Sequence, residues 1–239
     1  MIKQKELLEK LELEFLNVGN KEQAIKQQQY MKSQIPFFGV AMPEVKKITK
    51  KVLKDYIPKD NQEYRDTALY LFENAKRREV WYAGLVYAQK FEKHIKEENI
   101  DVYEKIIRIT SWWDIVDLAA QNLIGRALVG DSLYTLFSGS KGKVDLYAKK
   151  WIKDDDMWIR RTALLIQLKY RRATDFNLLK KLILQVSGEK DFFMRKAIGW
   201  ALRSYSYVAP QEVITFIEKN KNKLSTLSIR EGLKVVNKK

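Results

Sequence analysis

Two segments of the chain repeat one residue pattern, and this repeat limits the folds that the chain can adopt. The segment that starts at Asp156 reads DMWIRRTALLIQL, and the segment that starts at Asp191, 35 residues later, reads DFFMRKAIGWAL, with an acid, an aromatic residue and a basic pair in register. Weaker copies start at Glu79 (EVWYAGLVYAQ) and Asp114 (DIVDLAAQNLI). Spacings of about 35 to 42 residues are typical of HEAT-type units, in which each helix pair packs against the next. We therefore predict an all-α fold, a superhelical array of antiparallel helix pairs of the α-solenoid type.

Helical periodicity extends over nearly the whole chain. Apolar residues recur three and four positions apart, whereas alternating segments that would indicate strands are almost absent. A first helix ends at 19–20, a second follows at 21–34, and a loop at 35–45 precedes a third. A glycine-serine loop at 137–142 is the longest interruption, and we predict one domain over 1–239. The further helices are predicted at approximately 61–75, 78–94, 99–109, 111–128, 143–152, 156–171, 175–186, 190–206, 210–220 and 225–236.

Basic residues outnumber acidic ones by a wide margin. The chain has 45 Lys and Arg against 30 Asp and Glu, which gives a net charge of +15 and a pI of about 9.7. Such a surface neutralises phosphates and attracts polyanions, so nucleic acid is the predicted partner. Charge by itself is equally compatible with a soluble basic protein that binds no nucleic acid.

The composition excludes several kinds of chemistry. The chain has no cysteine and one histidine, His94, so a thiol nucleophile, a thiolate metal site and a histidine cluster are excluded. Catalysis must rest on carboxylates, tyrosines or the backbone, and we expect no metal or organic cofactor. The apolar run at 162–168 is far shorter than the roughly 20 residues that cross a bilayer. The amphipathic, acid-containing start differs from a targeting peptide, so we expect a cytoplasmic protein with no membrane partner.

The stretch TSWWDIVDLAAQ combines aromatic and acidic side chains within a helical pattern. Ser111 and Asp114 have the spacing of a capping box, in which each side chain bonds to the backbone amide of the other, and we expect them to begin the helix. Trp113 and Asp117 are four residues apart, so their side chains share one face of that helix.

Asp117 needs a further explanation, because it lies inside the helix, beyond the reach of a cap. One interpretation is an ion pair with a basic residue of another helix, such as Arg160 or Arg161, and the residue pattern alone favours it. The other interpretation is a functional carboxylate. The tryptophans that lie at helical spacing among apolar residues are by the same reasoning core residues: Trp112, Trp158 and Trp200.

Four segments follow one another along nearly the whole chain: YMKSQIPFFGVAMPE (30–44), TSWWDIVD (110–117), WIRRTALLIQLKY (158–170) and FFMRKAIGWALRSY (192–205). They resemble the successive signature segments of the AlkD-type DNA alkylation repair glycosylases, a family of HEAT-like repeat proteins. The resemblance implies an enzyme of base excision repair, which hydrolyses the N-glycosidic bond of N3- or N7-alkylated purines in duplex DNA.

The resemblance also implies roles for single residues. Asp117 matches the family's essential carboxylate, and Trp113 and Trp200 match tryptophans that pack against the deoxyribose and backbone of the lesion. Arg161 matches an arginine that contacts a phosphate near the lesion, and Tyr30 matches a tyrosine beside the same cleft. Arg203 is the third expected DNA contact.

This reaction needs no histidine. A purine alkylated at N3 or N7 already carries a positive charge and leaves as a neutral molecule, so no general acid is required. An ionised Asp117 can stabilise the oxocarbenium-like sugar and orient the attacking water, while the indoles of Trp113 and Trp200 face the developing cation. We expect no strand-cleaving lyase step, no excision of uracil or 8-oxoguanine, and an Asp117→Asn variant that is nearly inactive but keeps its fold and DNA affinity.

A second interpretation is a non-catalytic HEAT-like module that binds nucleic acid or protein. Both interpretations predict helices, positive charge and stacked repeats. They differ at Asp117, because an anion in a DNA-binding surface repels phosphates and would weaken a pure binding module. We therefore expect the enzyme, which acts as a monomer on duplex DNA containing alkylated purines, in a sequence-independent and salt-sensitive manner.

Overall fold

The computed structural model describes residues 2–130 and 141–236, and the regular secondary structure of this part is helical, without a strand. The all-α prediction is confirmed. None of the described helices combines the length and hydropathy needed to span a membrane. The helices are α1 (Ile2–Val18), α2 (Lys21–Met31), α3 (Met42–Val52), α4 (Asn61–Glu73), α5 (Arg78–Lys90), α6 (Ile100–Thr110), α7 (Trp113–Ala119), α8 (Gly125–Val129), α9 (Lys141–Trp151), α10 (Met157–Leu165), α11 (Phe176–Val186), α12 (Phe192–Ser206), α13 (Pro210–Asn220) and α14 (Thr226–Gly232).

The predicted helices agree with the observed ones except in a few places. The helix predicted at 111–128 is interrupted, because α7 continues into a π-helical turn, Ala120–Ile124, before α8 begins. A π turn adds one residue to a helical turn, which hydrophobic periodicity does not reveal. The patterns at 21–34, 78–94, 156–171 and 225–236 continue past the ends of α2, α5, α10 and α14. Of the loop expected at 137–142, positions 137–140 lie outside the described residues, and positions 141–142 belong to α9.

The chain forms two compact units, Met1–Thr110 and Ser111–Lys239. In the first unit α1 packs on α3, α4 and α5, and α4 packs on α5 and α6, around fully buried side chains such as Phe15 and Tyr64. In the second unit α12 packs on α10, α13 and α14, and α10 also packs on α7. A single domain over the full length stays a prediction.

In the first unit a buried carboxylate holds the loop between α2 and α3. Glu79 is fully buried and accepts the backbone N–H groups of Phe38, Gly39 and Val40 at 2.9, 2.8 and 3.1 Å. Gly39 has a φ of +87°, and a Cβ at this position would lie 1.9 Å from the carbonyl oxygen of Asn20. The glycine and the acid therefore explain why the segment IPFFGVA has its fixed shape, since backbone amides that are removed from water need an acceptor.

The two strong repeats begin alike in three dimensions. Asp156 is the N-cap of α10 and accepts the N–H of Trp158 at 2.8 Å. Asp191 is the N-cap of α12 and accepts the N–H of Phe193 at 2.7 Å. Each acid thus bonds an amide that the first helical turn leaves without a partner. In the weaker copies the acid is instead the second residue of the helix: Glu79 in α5 and Asp114 in α7.

The prediction that Ser111 is the N-cap residue of α7 is wrong. The N-cap is Trp112, which has extended dihedral angles and forms no side-chain cap bond. Ser111 has a φ of 40°, in the left-handed region that is common directly after the end of a helix, and α6 ends at Thr110. The end of α6 therefore decides the conformation of Ser111 and excludes the extended backbone of an N-cap residue.

A glycine allows α12 and α14 to pack closely in the second unit. A Cβ at Gly199 would lie 2.5 Å from the Cβ of Glu231 and 2.9 Å from the carbonyl oxygen of Ser228. Both distances are shorter than van der Waals contact allows. The glycine of the KAIGW segment is therefore a packing requirement, and it sets Glu231 against the helical turn that precedes Trp200.

Candidate active site

A buried ion pair joins α7 and α10. Asp117 is 7% exposed and Arg161 is 4% exposed. Nε of Arg161 donates to Oδ1 of Asp117 at 2.7 Å, and Nη2 donates to Oδ2 at 2.8 Å, so the guanidinium and the carboxylate meet side by side. Two parallel charge-assisted hydrogen bonds fix both the distance and the orientation of the carboxylate. The interhelical ion pair predicted as one interpretation of Asp117 is thus present, with Arg161 as its partner.

Arg161 is itself held from a third helix. Its Nη1 donates to the carbonyl oxygen of Phe193 in α12, so each of its three nitrogens donates to the protein. Arg160, the other predicted partner of Asp117, instead binds Glu189, with Nε to Oε1 at 2.9 Å and Nη2 to Oε2 at 3.0 Å. The two adjacent arginines therefore form equivalent pairs with different acids, and only Arg161 reaches the candidate site.

Burial and charge act in opposite directions on Asp117. Burial raises the pKa of the carboxyl, the hydrogen bonds and charge of Arg161 lower it, and the nearby charge of Asp114 adds to the rise, so the pKa of Asp117 lies above the usual aspartate value. Arg161 thus favours the ionised form of Asp117 in a site where burial favours the neutral form. A pKa raised by burial beside one specific charge partner is typical of functional carboxylates, and structural ion pairs can produce it too.

The ion pair leaves part of the carboxylate available. Each oxygen of Asp117 accepts one N–H from Arg161. An ionised carboxylate has about four acceptor positions, so the guanidinium leaves one position on each oxygen unused.

Three aromatic rings pack together at the start of α7, α10 and α12. The ring centroids of Trp112 and Trp158 are 5.9 Å apart, those of Trp112 and Phe193 5.5 Å, and those of Trp158 and Phe193 5.1 Å. Such tilted and edge-on arrangements are the favoured ones for aromatic side chains. Trp112 and Trp158 are therefore packing residues, as their spacing predicted, and the cluster fixes the ends of the helices that carry Asp117 and Arg161.

Trp113 and Trp200 differ from these two tryptophans. Both are half-buried, and neither packs ring to ring with another aromatic side chain among the described residues. Trp113 lies one helical turn before Asp117 in α7, whereas Trp200 lies near the middle of α12. Each indole thus keeps an exposed portion that can contact a ligand, as a catalytic role would require.

Arg203 forms an ion pair within the second unit. Its Nη1 donates to Oε2 of Glu231 at 2.8 Å, and Lys196 Nζ lies 3.1 Å from Oε1 of the same carboxylate. Burial of Glu231 opposes its ionisation, but the hydrogen bond from Lys196 and the charges of Lys196, Arg203 and Lys234 outweigh it, so the pKa of Glu231 lies below the usual value. Glu231 is therefore ionised at neutral pH and shares its charge between two cations.

The candidate site lies within a sequence region that matches one protein family. The family model described as "DNA alkylation repair enzyme" matches residues 11–236. The chain belongs to the family of DNA alkylation repair enzymes. A solved structure described as a predicted DNA alkylation repair enzyme from Enterococcus faecalis is 29% identical, with a TM-score of 0.78, over 92% of this chain and 98% of that chain. No curated protein matches the chain.

These similarities confirm the predicted fold class, helix pairs of the α-solenoid type, and membership of the DNA alkylation repair family supports a role in alkylation repair. Tyr30, the remaining predicted contact, lies in the first unit near the end of α2 and is 79% exposed. Its side chain is accessible, as a DNA contact requires, and its predicted role stays a prediction.

Two contacts of this member of the DNA alkylation repair family were missed in the sequence: the Phe193 carbonyl that binds Arg161, and Glu231. The repeat contains a signal for the second. Arg161 and Lys196 occupy equivalent positions, 35 residues apart, and each binds a buried acid, Asp117 or Glu231. Once one of these basic residues is assigned an acidic partner, the repeat suggests a second acid for the other. The contact with the Phe193 carbonyl has no comparable signal in the sequence, because every residue has a backbone carbonyl.

Proposed function

We propose that the protein is a monofunctional DNA glycosylase, which hydrolyses the N-glycosidic bond of cationic N3- and N7-alkylated purines in duplex DNA. The observation that carries this proposal is the carboxylate of Asp117, buried and held by both oxygens in a chain of the DNA alkylation repair family. The fixed geometry matters, because a group oriented before the reaction loses no energy to reorganisation as charge develops.

The proposed reaction divides the work between substrate and protein. The alkylated purine is already positively charged, so it leaves with the bonding electron pair as a neutral base and needs no proton donor. The deoxyribose is left with an oxocarbenium-like charge at C1′, which the carboxylate of Asp117 stabilises. The same carboxylate orients the attacking water and accepts its proton, while the exposed faces of Trp113 and Trp200 flank the sugar.

Arg161 supports this chemistry through its partner. Its charge favours the ionised form of Asp117 against the effect of burial, and its two hydrogen bonds hold the carboxylate in one orientation. Its three nitrogens already donate within the protein, so the predicted phosphate contact would use a second N–H of Nη1 or Nη2. The phosphates would otherwise be bound by cations such as Arg203, without reading the base sequence.

The second candidate function, a binding module without catalysis, is favoured by the same ion pair. A carboxylate that serves only to link α7 and α10 would form this geometry, because a buried charge needs a partner. In that case the charge of Asp117 would contribute to stability and not to a rate. The two functions therefore differ in one measurable respect, namely whether the free protein releases a base.

The test is base release from methylated duplex DNA. The wild-type protein is incubated with duplex treated with a methylating agent, and free 7-methylguanine and 3-methyladenine are separated and quantified. For the variant Asp117→Asn, which removes the charge of the candidate site, the matched control is Glu189→Gln, because Glu189 pairs with Arg160 through the same two-bond geometry. We expect release by the wild type and by the control. Absence of both bases at micromolar wild-type enzyme would favour the binding module.

A further inference from the structure

Glu231 connects two cations that flank Trp200 on α12. Its Oε1 lies 3.1 Å from Lys196 Nζ, and its Oε2 accepts a bond of 2.8 Å from Arg203 Nη1. Lys196 and Arg203 lie four residues before and three residues after Trp200, so all three side chains share one face of the helix. One carboxylate from α14 therefore holds the turns on both sides of the tryptophan.

The carboxylate is part of the contact between the two helices. Glu231 is buried, and its Cβ occupies the space left by the missing side chain of Gly199, the residue directly before Trp200. Ser228, one turn earlier in α14, donates from its hydroxyl to the carbonyl oxygen of Arg195 at 2.9 Å. The position of Glu231 relative to α12 is thus fixed by packing and by a second hydrogen bond.

A negative charge at this place opposes DNA binding. It offsets one of the two positive charges that Lys196 and Arg203 would offer to phosphates, and binding to a polyanion weakens as charges are neutralised. In return, two long and flexible side chains are restricted to one arrangement. A surface that only had to hold DNA would bind more tightly without this carboxylate.

We propose that Glu231 is a positioning residue, which orients Arg203 and the turn of α12 that carries Trp200 for base release, and which lowers the affinity for undamaged DNA. The effect on base release rests on the proposed function. The effect on DNA affinity does not depend on the chemistry, and it is therefore measured separately on undamaged duplex.

The decisive variant is Glu231→Gln, which keeps the shape and a hydrogen-bonding side chain but removes the charge. We expect tighter binding to undamaged duplex and a slope of log K against log salt that is steeper by up to about one. We expect the rate of release of 7-methylguanine at saturating enzyme to fall by about 10- to 100-fold, since small displacements of reacting groups have effects of this size. Glu189→Gln removes the same charge from another ion pair and should change neither quantity.

A second variant keeps the test valid if Glu231→Gln does not fold. Glu231→Asp retains the charge but shortens the reach, so we expect the salt slope of the wild type together with a reduced rate of base release.

A purely structural role of Glu231 predicts a lower melting temperature with the salt slope and the rate of the folded protein unchanged. Either variant with that result would overturn the inference. If the wild type releases no base, the proposed glycosylase fails, and an unchanged salt slope in Glu231→Gln would then refute the role of Glu231 as well.

Discussion

Arg161 donates two parallel hydrogen bonds to Asp117 across 44 residues of sequence, and both side chains are buried. Removal of one partner of a buried ion pair leaves an uncompensated charge, which typically costs about 3–5 kcal/mol of stability. The structure therefore changes one expectation from the sequence: Asp117→Asn should lose stability as well as activity. A test of catalysis at this residue must separate the two effects.

The tryptophans should divide into a functional and a structural class. Trp200→Ala should lower the rate of base release by about 3- to 30-fold, the range given by a cation–π contact of about 0.5–2 kcal/mol. Trp158 is almost completely buried in the aromatic cluster, so Trp158→Ala should lower the free energy of unfolding by about 3–5 kcal/mol. Single-turnover rates of base release and urea unfolding, measured on both variants, check these two expectations. Equal losses of stability in the two variants would contradict the assignment of Trp200.

Packing at Gly199 should be sensitive to one methyl group. Gly199→Ala should lower the free energy of unfolding by about 1–3 kcal/mol, because the new Cβ would lie 2.5 Å from that of Glu231. The control is Gly188→Ala, where a Cβ would meet no atom within 4 Å. Thermal unfolding of both variants is the measurement. A melting temperature of Gly199→Ala equal to that of the control would show that α14 can move away at no cost.

Local patterns in the sequence predicted most of the helices, because the 3.6-residue period of a buried face can be read directly from apolar residues. They also predicted Asp156 and Asp191 as equivalent positions of a repeat, and both are N-caps. Where two elements compete for one residue, local patterns failed. Ser111 has the right spacing for a cap, yet the end of α6 determines its backbone, and the π turn after α7 has no local sequence signature.

Contacts between distant segments were only partly predictable. The pairing of Asp117 with Arg161 was one of two interpretations, because a charged residue inside an apolar helix needs a partner. Glu79 was recognised only as a repeat position, since nothing local reveals that it reaches amides about 40 residues earlier. Glu231 was missed for the same reason: its bond to Arg203 spans 28 residues, and the close approach of α14 depends on Gly199.

The pH dependence of base release should reflect the raised pKa of Asp117. The proposed chemistry needs the ionised form, so the rate should fall as pH decreases through the folded-state pKa, above the usual range for aspartate. Rates corrected for spontaneous depurination check this, and a rate independent of pH down to pH 4 would contradict it.

Neutral bases should not be released. Uracil and 8-oxoguanine carry no positive charge and need a proton donor to leave, and the proposed site offers a carboxylate and two indoles but no acid for this step. Duplexes with a single uracil or 8-oxoguanine, incubated beside methylated duplex, provide the comparison. Efficient release of either neutral base would require a general acid near the sugar and would refute the mechanism.

The most direct measurement compares Asp117→Asn with the double variant Asp117→Asn/Arg161→Gln. The double variant removes both buried charges, so it should regain much of the stability that the single variant loses. We predict that both variants release 7-methylguanine at least about 100-fold more slowly than the wild type under single-turnover conditions, as expected for the loss of one oriented electrostatic group. Release by the refolded double variant within a few-fold of the wild-type rate would show that Asp117 is structural and would contradict the proposed function.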